Sequence, residues 1–283
     1  ATTEIYTLSL HDALPIFAGI ARPPIALGFS LRAALATTTL DVEVTPTPLQ
    51  SWVSTDFKPT GQTLVVIEDL TGAGKTEAAL IAAHRLMACG AAEGLYWALP
   101  TMATANSLYE RLSKSYERLF SDPSQASLVL AHGKRGFHGA FRKSILPAGR
   151  HEAPTGDGTR GLSHDDETSS AQCASWIADD RRKAFLADVG VGTLDQALLA
   201  VLPAKHQAIR LSSLARRVLV CDEVHSYDSY TGRLLQALLT FHAANGGSAI
   251  LLTATLTRKL RRELVSAFAR GARWQLDAKI EST

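Results

Sequence analysis

Apolar residues in this chain gather into short runs, each followed by a stretch whose apolar positions recur at a longer period. Thr63 to Ile67 is β-branched-rich and short enough for a buried strand, and the run from Ala78 to Met87 spaces Leu80, Ala83 and Met87 at helical intervals. Gly94 to Leu99 reads as a second buried strand closed by Pro100. Behind it Leu108, Leu112, Tyr116 and Leu119 fall at helical spacing, with Asn106 as the expected N-cap. Ser127 to Ala131 reads as a third strand, the apolar run after Arg217 as a fourth, and Ala249 to Leu252 as the last. Between the last two, Leu234, Leu235, Leu238 and Leu239 share one helical face. Val189 to Gly192 reads as a small-residue turn that places Thr193 at the start of a helix through Ala197 to Leu199. Strands alternating with helices predict an α/β fold, a mostly parallel central sheet with helices on both faces.

Outside this alternation the pattern thins. Residues 1–16 fit no element and read as translated sequencing-adapter sequence foreign to the domain. Residues 17–44 are an apolar, alanine-rich lead-in around Arg22-Pro23-Pro24, with a helix expected from Leu27 to Ala36. From 133 to 170 the periodicity disappears and Gly, His, Ser, Asp and Arg accumulate. So long a loop in a compact domain is functional or disordered, and its histidines and acids match no metal-ligand spacing. The domain proper is expected over 45–257, with a helix or linker over 258–283.

Composition narrows the picture modestly. With 283 residues, 46% of them hydrophobic, the chain suits one large domain. A formal charge of +2 is too small to announce a nucleic-acid binder by bulk electrostatics. Cys89, Cys173 and Cys221 are widely spaced and odd in number, which suits buried thiols in a reducing cytoplasm. No apolar run approaches the roughly 20 residues of a membrane span.

The candidate chemistry sits at the ends of the expected strands. After the first comes Asp69-Leu70-Thr71-Gly72-Ala73-Gly74-Lys75-Thr76-Glu77, a phosphate-binding loop with Asp69 where the GxxxxGK[ST] pattern has its first glycine. Gly72 and Gly74 would let backbone N–H groups wrap phosphate oxygens at the positive end of the new helix. Thr71 to Glu77 would hold ATP, with Lys75 on the β/γ-phosphates and Thr76 on magnesium. Gln50 stands 25 residues before Lys75, behind Pro46 and Pro48, and its amide could match the adenine edge; an ordinary surface glutamine is the plain alternative. After the fourth apolar run, Asp222 would hold Mg2+, and Glu223 would orient and deprotonate the attacking water. His225 follows. Thr253 and Thr255 close the last strand, where hydroxyls could couple the acids to a nucleic-acid surface. Thr101, Thr104, Asn106 and Thr193, at strand-to-helix junctions, suit contacts to a nucleic-acid backbone as well as simple capping.

The order TGAGKT, PTMATAN, DEVH, TAT resembles the first RecA-like domain of a superfamily 2 DExH helicase. The longer agreements, TGAGKTEAAL at 71–80, LPTMATANSLYERL at 99–112, VGTLDQALL at 191–199 and VLVCDEVHSYD at 218–228, are similar to the CRISPR-associated helicase-nuclease of type I systems. That resemblance implies a motor recruited by an RNA-guided surveillance complex that moves on displaced single-stranded DNA by ATP hydrolysis. It also implies a second RecA-like domain bearing arginine fingers and a separate metal-dependent HD nuclease domain. Neither is visible in the sequence, so the chain reads as a fragment that binds ATP but turns it over slowly. Thr253 stands where the family has the serine of its SAT motif and keeps the hydroxyl. A nucleotide-binding switch or scaffold without motor activity and a generic DExH RNA helicase remain the competing readings.

Overall fold

The computed structural model describes residues 23–34, 45–122, 126–131, 186–203 and 207–274. Six strands, β1 (Leu64–Glu68), β2 (Leu95–Leu99), β3 (Leu128–Ala131), β4 (Val189–Thr193), β5 (Val218–Cys221) and β6 (Ser248–Thr253), form one sheet in the order β1-β6-β5-β2-β4-β3. Every neighbouring pair is parallel. β2 to β6 are buried along their whole length, as expected for a parallel sheet covered on both faces, and this is why all of them except the glycine-containing β4 read as unbroken apolar runs rather than alternating ones.

The helices are α1 (Leu31–Ala34), α2 (Pro48–Thr55), α3 (Lys75–Ala88), α4 (Met102–Leu112), α5 (Leu194–Leu198), α6 (Gln207–Leu214), α7 (Ser229–Ala244) and α8 (Arg258–Ala272). α3 is almost wholly buried from Ala78 to Met87, alanines letting it lie close to the sheet and Leu80 and Leu86 filling the space between. Burying each of those leucines is worth roughly 1.5–3 kcal/mol. α7 and α8 pack as a pair: Leu235, Leu238 and Leu239 are buried beside Leu264 and Phe268, and Thr240 Oγ1 donates to the Ala267 carbonyl at 2.9 Å. The lead-in is tied down, with Ile25 bridging antiparallel to Phe120 and Phe29 stacked on His84.

Several expectations need correction. Val189–Thr193 is a strand, not a turn. Gly192 is there because a Cβ would strike the Ala131 carbonyl and the Tyr96 hydroxyl, so its smallness serves close packing within the sheet. α4 begins five residues earlier than Asn106 implies. Thr101 is its N-cap, in a reciprocal capping box with Thr104, and Asn106 lies inside the helix. That helix stops at Leu112, and Tyr116–Leu119 is a separate 3₁₀ turn. Of the lead-in helix, Leu31–Ala34 is described. Cys221 is buried but Cys89 is exposed. Residues 1–16, most of 17–44, the 133–170 loop and Cys173 lie outside the described residues.

Candidate functional site

Parallel strands bring all their C-terminal ends to one edge of the sheet, and order decides which ends meet. β6 lies between β1 and β5, so the loop after β1 and the acids after β5 flank Thr253; Glu68 is in register with Thr253. Segments about 150 residues apart in sequence become neighbours by this topology alone.

The loop after β1 owes its shape to two glycines. Gly72 (φ 86°) and Gly74 (φ 79°) are left-handed, and Gly74 is the N-cap of α3, where no side chain offers a capping bond. A Cβ on Gly72 would meet open space, so backbone conformation, not crowding, demands glycine there. Lys75, 9% exposed, folds its ammonium back to donate to the Asp69 and Leu70 carbonyls at 2.6 and 2.8 Å. Thr76 and Glu77 follow in the first turn of α3. Glu77 pairs with Arg111 of α4, so its carboxylate ties the loop helix to the helix behind PTMATAN.

Gln50 sits at the third position of α2, buried, and completes a capping box with Thr47. Its Oε1 accepts from the Thr47 N–H at 3.0 Å, and its Nε2 donates to the Gly74 carbonyl at 3.3 Å. Thr47 Oγ1 in turn donates to the Ala73 carbonyl at 3.1 Å. The amide therefore braces the loop from behind. The sequence suggests an adenine contact or an ordinary surface residue for Gln50; here it is buried and its amide is engaged by the Thr47 and Gly74 backbone.

At the end of β5, Asp222 is partly buried, and burial raises its carboxyl above the usual range. Glu223 adds to the rise, while the Glu223 N–H, at 2.9 Å from Oδ1, and the nearby Lys75 ammonium oppose it. Tyr227 donates to the Asp222 carbonyl at 2.5 Å. Glu223 is left-handed (φ 53°, ψ 44°), a conformation uncommon for a side chain of this kind. His225 links the two halves: its Nε2 lies 3.3 Å from Glu223 Oε2 and its Nδ1 3.1 Å from Thr253 Oγ1, which donates to the Thr255 carbonyl at 2.8 Å. A doubly protonated ring completes that line of donors. A neutral ring with its proton on Nε2 instead accepts the Ala254 N–H at 3.4 Å. Glu68, at the other side of Thr253, accepts from the Leu256 N–H at 2.9 Å and pairs with Arg261 of α8, tying that helix to this edge.

The remaining expected residues separate. Thr101 and Thr104 are exposed at the start of α4, their hydroxyls 3.0 Å apart, whereas Thr193, at the end of the adjacent β4, is buried. Asn106 is partly buried one turn further along α4. Residues given no role by sequence reasoning include Glu68, Trp97 and, within the VLVCDEVHSYD stretch, Tyr227.

The donors fit a nucleotide with magnesium. Hard oxygens from Thr76 and Asp222 suit Mg2+, which is usually held by one or two carboxylates together with substrate phosphates and water. The described residues contain no group of three or more His, Cys, Asp or Glu placed to hold a metal by themselves.

Comparison with known proteins finds relatives for most of this chain. The chain is 41% identical over 225 residues to the CRISPR-associated endonuclease/helicase Cas3 of Escherichia coli (strain K12), covering 78% of this chain and 23% of that protein. Against the Cas3 of Thermus thermophilus the figures are 45% over 206 residues, 73% and 21%. This stretch of sequence belongs to the Cas3 family. Its fold matches crystal structures of T. fusca Cas3 with a TM-score of 0.69 at 30% identity, over 93% of this chain and 26% of that one. The ADP-bound form gives 0.68 at 32%, over 92% and 26%. The sheet is thus the RecA-like sheet of Cas3 helicase domains. A chain from a structure described as a CRISPR RNA-guided surveillance complex, pre-nicking, matches with a TM-score of 0.51 at 30% identity, over 94% and 22%. No family model matches. The chain spans under a quarter of the length of the curated Cas3 relatives.

Proposed function

We propose that this chain is the ATP-binding part of a Cas3-type DNA motor in type I CRISPR defence, coupling ATP hydrolysis to movement along single-stranded DNA in the cytoplasm. The observation that carries the reading is the meeting, around the end of β6, of the Lys75 loop, the Asp222–Glu223 pair and the line from Glu223 through His225 to Thr253. Lys75 leaves the loop carbonyls for the β/γ-phosphates, and the N–H groups of residues 72–76 cradle them. Thr76 and Asp222 hold Mg2+, which when bound neutralises charge on the phosphates. Glu223 orients and deprotonates water, and the state of its carboxylate reaches the Thr255 segment through His225 and Thr253. Thr101 and Thr104, exposed beside this edge, contact the DNA backbone. Thr193 and Asn106 support that surface from behind. Gln50 holds the loop and, on release from Gly74, reads adenine.

The surveillance complex named with one structural relative is the natural recruiter in this reading. With its matches confined to under a quarter of the relatives' length, this stretch alone is expected to bind ATP and turn it over slowly, because a cation on the opposite side of the γ-phosphate is worth about 10³ to 10⁵ in rate. The test is ATP affinity with and without Mg2+, followed by ATPase with single-stranded DNA or RNA, for this chain and for a longer one. Magnesium-dependent binding and DNA-stimulated turnover in the longer chain support the reading. Binding with no response to nucleic acid favours a switch, and stimulation by RNA alone favours an RNA helicase.

A further inference from the structure

Trp97 is the largest fully buried side chain of the sheet, with 0% exposure, in the middle of β2. Packing alone would be served by a phenylalanine or leucine, yet an indole brings an N–H that must find an acceptor. Among the described residues Trp97 Nε1 makes no full hydrogen bond, an uncommon condition for a buried donor and one that asks for a cause. The register supplies one. Trp97 is paired with Val220 of β5, and paired residues on neighbouring parallel strands share a face. Asp222 lies two residues beyond Val220 and therefore returns to that face, while its own N–H still donates to the Ala98 carbonyl at 2.9 Å, keeping the two chains in step. The register thus sets the Trp97 ring and the Asp222 carboxylate on one face of the sheet, two positions apart, and the indole favours the ionised form of that carboxylate.

The other demands on that carboxylate are accounted for. Oδ1 accepts the Glu223 N–H, and the Lys75 ammonium stands nearby. Building on the nucleotide reading above, we propose that Trp97 is a positioning residue for magnesium, its indole N–H closing onto the Asp222 carboxylate when the metal is taken up and fixing the oxygen that faces the ion. Outer hydrogen bonds of this kind set the orientation of metal-holding carboxylates, and their loss commonly costs 10- to 100-fold in metal affinity.

The experiment is calorimetric titration of ATP into the chain, with magnesium and with EDTA, for the wild type and Trp97→Phe. The expected result is an EDTA affinity matching the wild type and a magnesium-dependent gain reduced about tenfold. A full magnesium gain in Trp97→Phe overturns the proposal, and so does a parallel fall in both conditions, which would mean that the ring acts only through packing. Should the phenylalanine leave a void that prevents folding, 3-benzothienylalanine at position 97 keeps the shape of the indole and removes only the donor. Loss of the magnesium gain in that protein supports the proposal, and its retention overturns it. A wild type that binds no ATP in either condition would instead refute the nucleotide reading itself, and the role of Trp97 with it.

Discussion

The two edges of the sheet handle polar groups in opposite ways. At the N-terminal edge, polar side chains are spent on the chain itself. Arg217, 2% exposed, donates to the Ser213, Asp188 and Leu186 carbonyls, and Asp188 accepts from the N–H and Oγ of Ser127. Gln62 donates to the Ala243 and Gly247 carbonyls, and His242 sits against the Ser248 carbonyl at 2.9 Å. At the C-terminal edge the groups are held less completely: Lys75 rests on loop carbonyls, and Thr101 and Thr104 are exposed. The most deeply buried charge in the described residues therefore lies far from the proposed chemistry. Both Arg217 and Lys75 donate to backbone carbonyls; burial of a charge marks a staple where those carbonyls are enclosed with it, as at Arg217, and a site where they lie on an accessible loop and can be exchanged for a ligand, as at Lys75.

Substituting the back-edge staple should have the largest effect on stability. Arg217→Met keeps much of the volume but leaves buried carbonyls without donors, each costing roughly 1–3 kcal/mol, so a total on the order of 3 kcal/mol is expected from urea unfolding. Nucleotide affinity, measured where the variant is still folded, should hardly move. A variant that unfolds like the wild type would erase the distinction between the edges.

Lys75→Ala is the converse. Its removal should weaken ATP binding at least about 100-fold, or about 2.7 kcal/mol, while the unfolding midpoint stays close to wild type, because the carbonyls it leaves at Asp69 and Leu70 lie on an accessible loop. Equal affinities by calorimetry would remove the site assignment.

Acid should attack the back edge first through His242. Burial, the largest influence, pushes its pKa down to about 4 from 6.5, only partly offset by hydrogen bonds with the backbone at Ser248 and Arg217. Between those values the unfolded chain takes up a proton that the folded chain refuses, so this contribution is intact above pH 6.5 and falls by about 1.4 kcal/mol per pH unit as pH drops toward 4. His242→Gln should remove that part of the slope, about 2 kcal/mol by pH 5 relative to pH 7. Parallel stability profiles for the two proteins would show that His242 is not the group responsible.

How much of this was legible from the sequence follows the same division. The loop from Thr71 to Thr76 and the Asp222–Glu223 pair are contiguous, so the pattern on which their proposed chemistry rests stands in the sequence before any contact is known. Five of the six strands were legible because a doubly covered sheet leaves unbroken apolar runs. β4 was not, because Val189-Gly190-Val191-Gly192 carries the glycines that Tyr96 and Ala131 require, and glycine without its neighbours reads as a turn. The cap of α4 was misplaced because Thr101 and Thr104 satisfy one another, a pairing that makes the earlier start cheaper than one at Asn106. Trp97 and Glu68 act through residues distant in sequence, so no local spacing could disclose them.

The smallest effect tests where strain is kept. Gly72 and Glu223 are both left-handed at the same edge, yet one is glycine and the other an acid with a proposed role in hydrolysis. A side chain in that region costs roughly 1–2 kcal/mol. Glycine at 223 would recover this, less about 0.5–1 kcal/mol for the freer unfolded chain and a small amount for the pair with His225, whose two side chains are 34% and 38% exposed. Glu223→Gly should therefore gain at most about 1 kcal/mol, a rise of up to about 3 °C in melting temperature, while ATP hydrolysis by the longer chain is lost. Gly72→Ala should move the other way by roughly 1 kcal/mol, since a Cβ there meets nothing and only the backbone objects. Chemical unfolding with unchanged slopes would measure both. A less stable Glu223→Gly would mean that the acid holds its turn by contacts worth more than the strain, and the edge would then be as tightly determined as the one opposite.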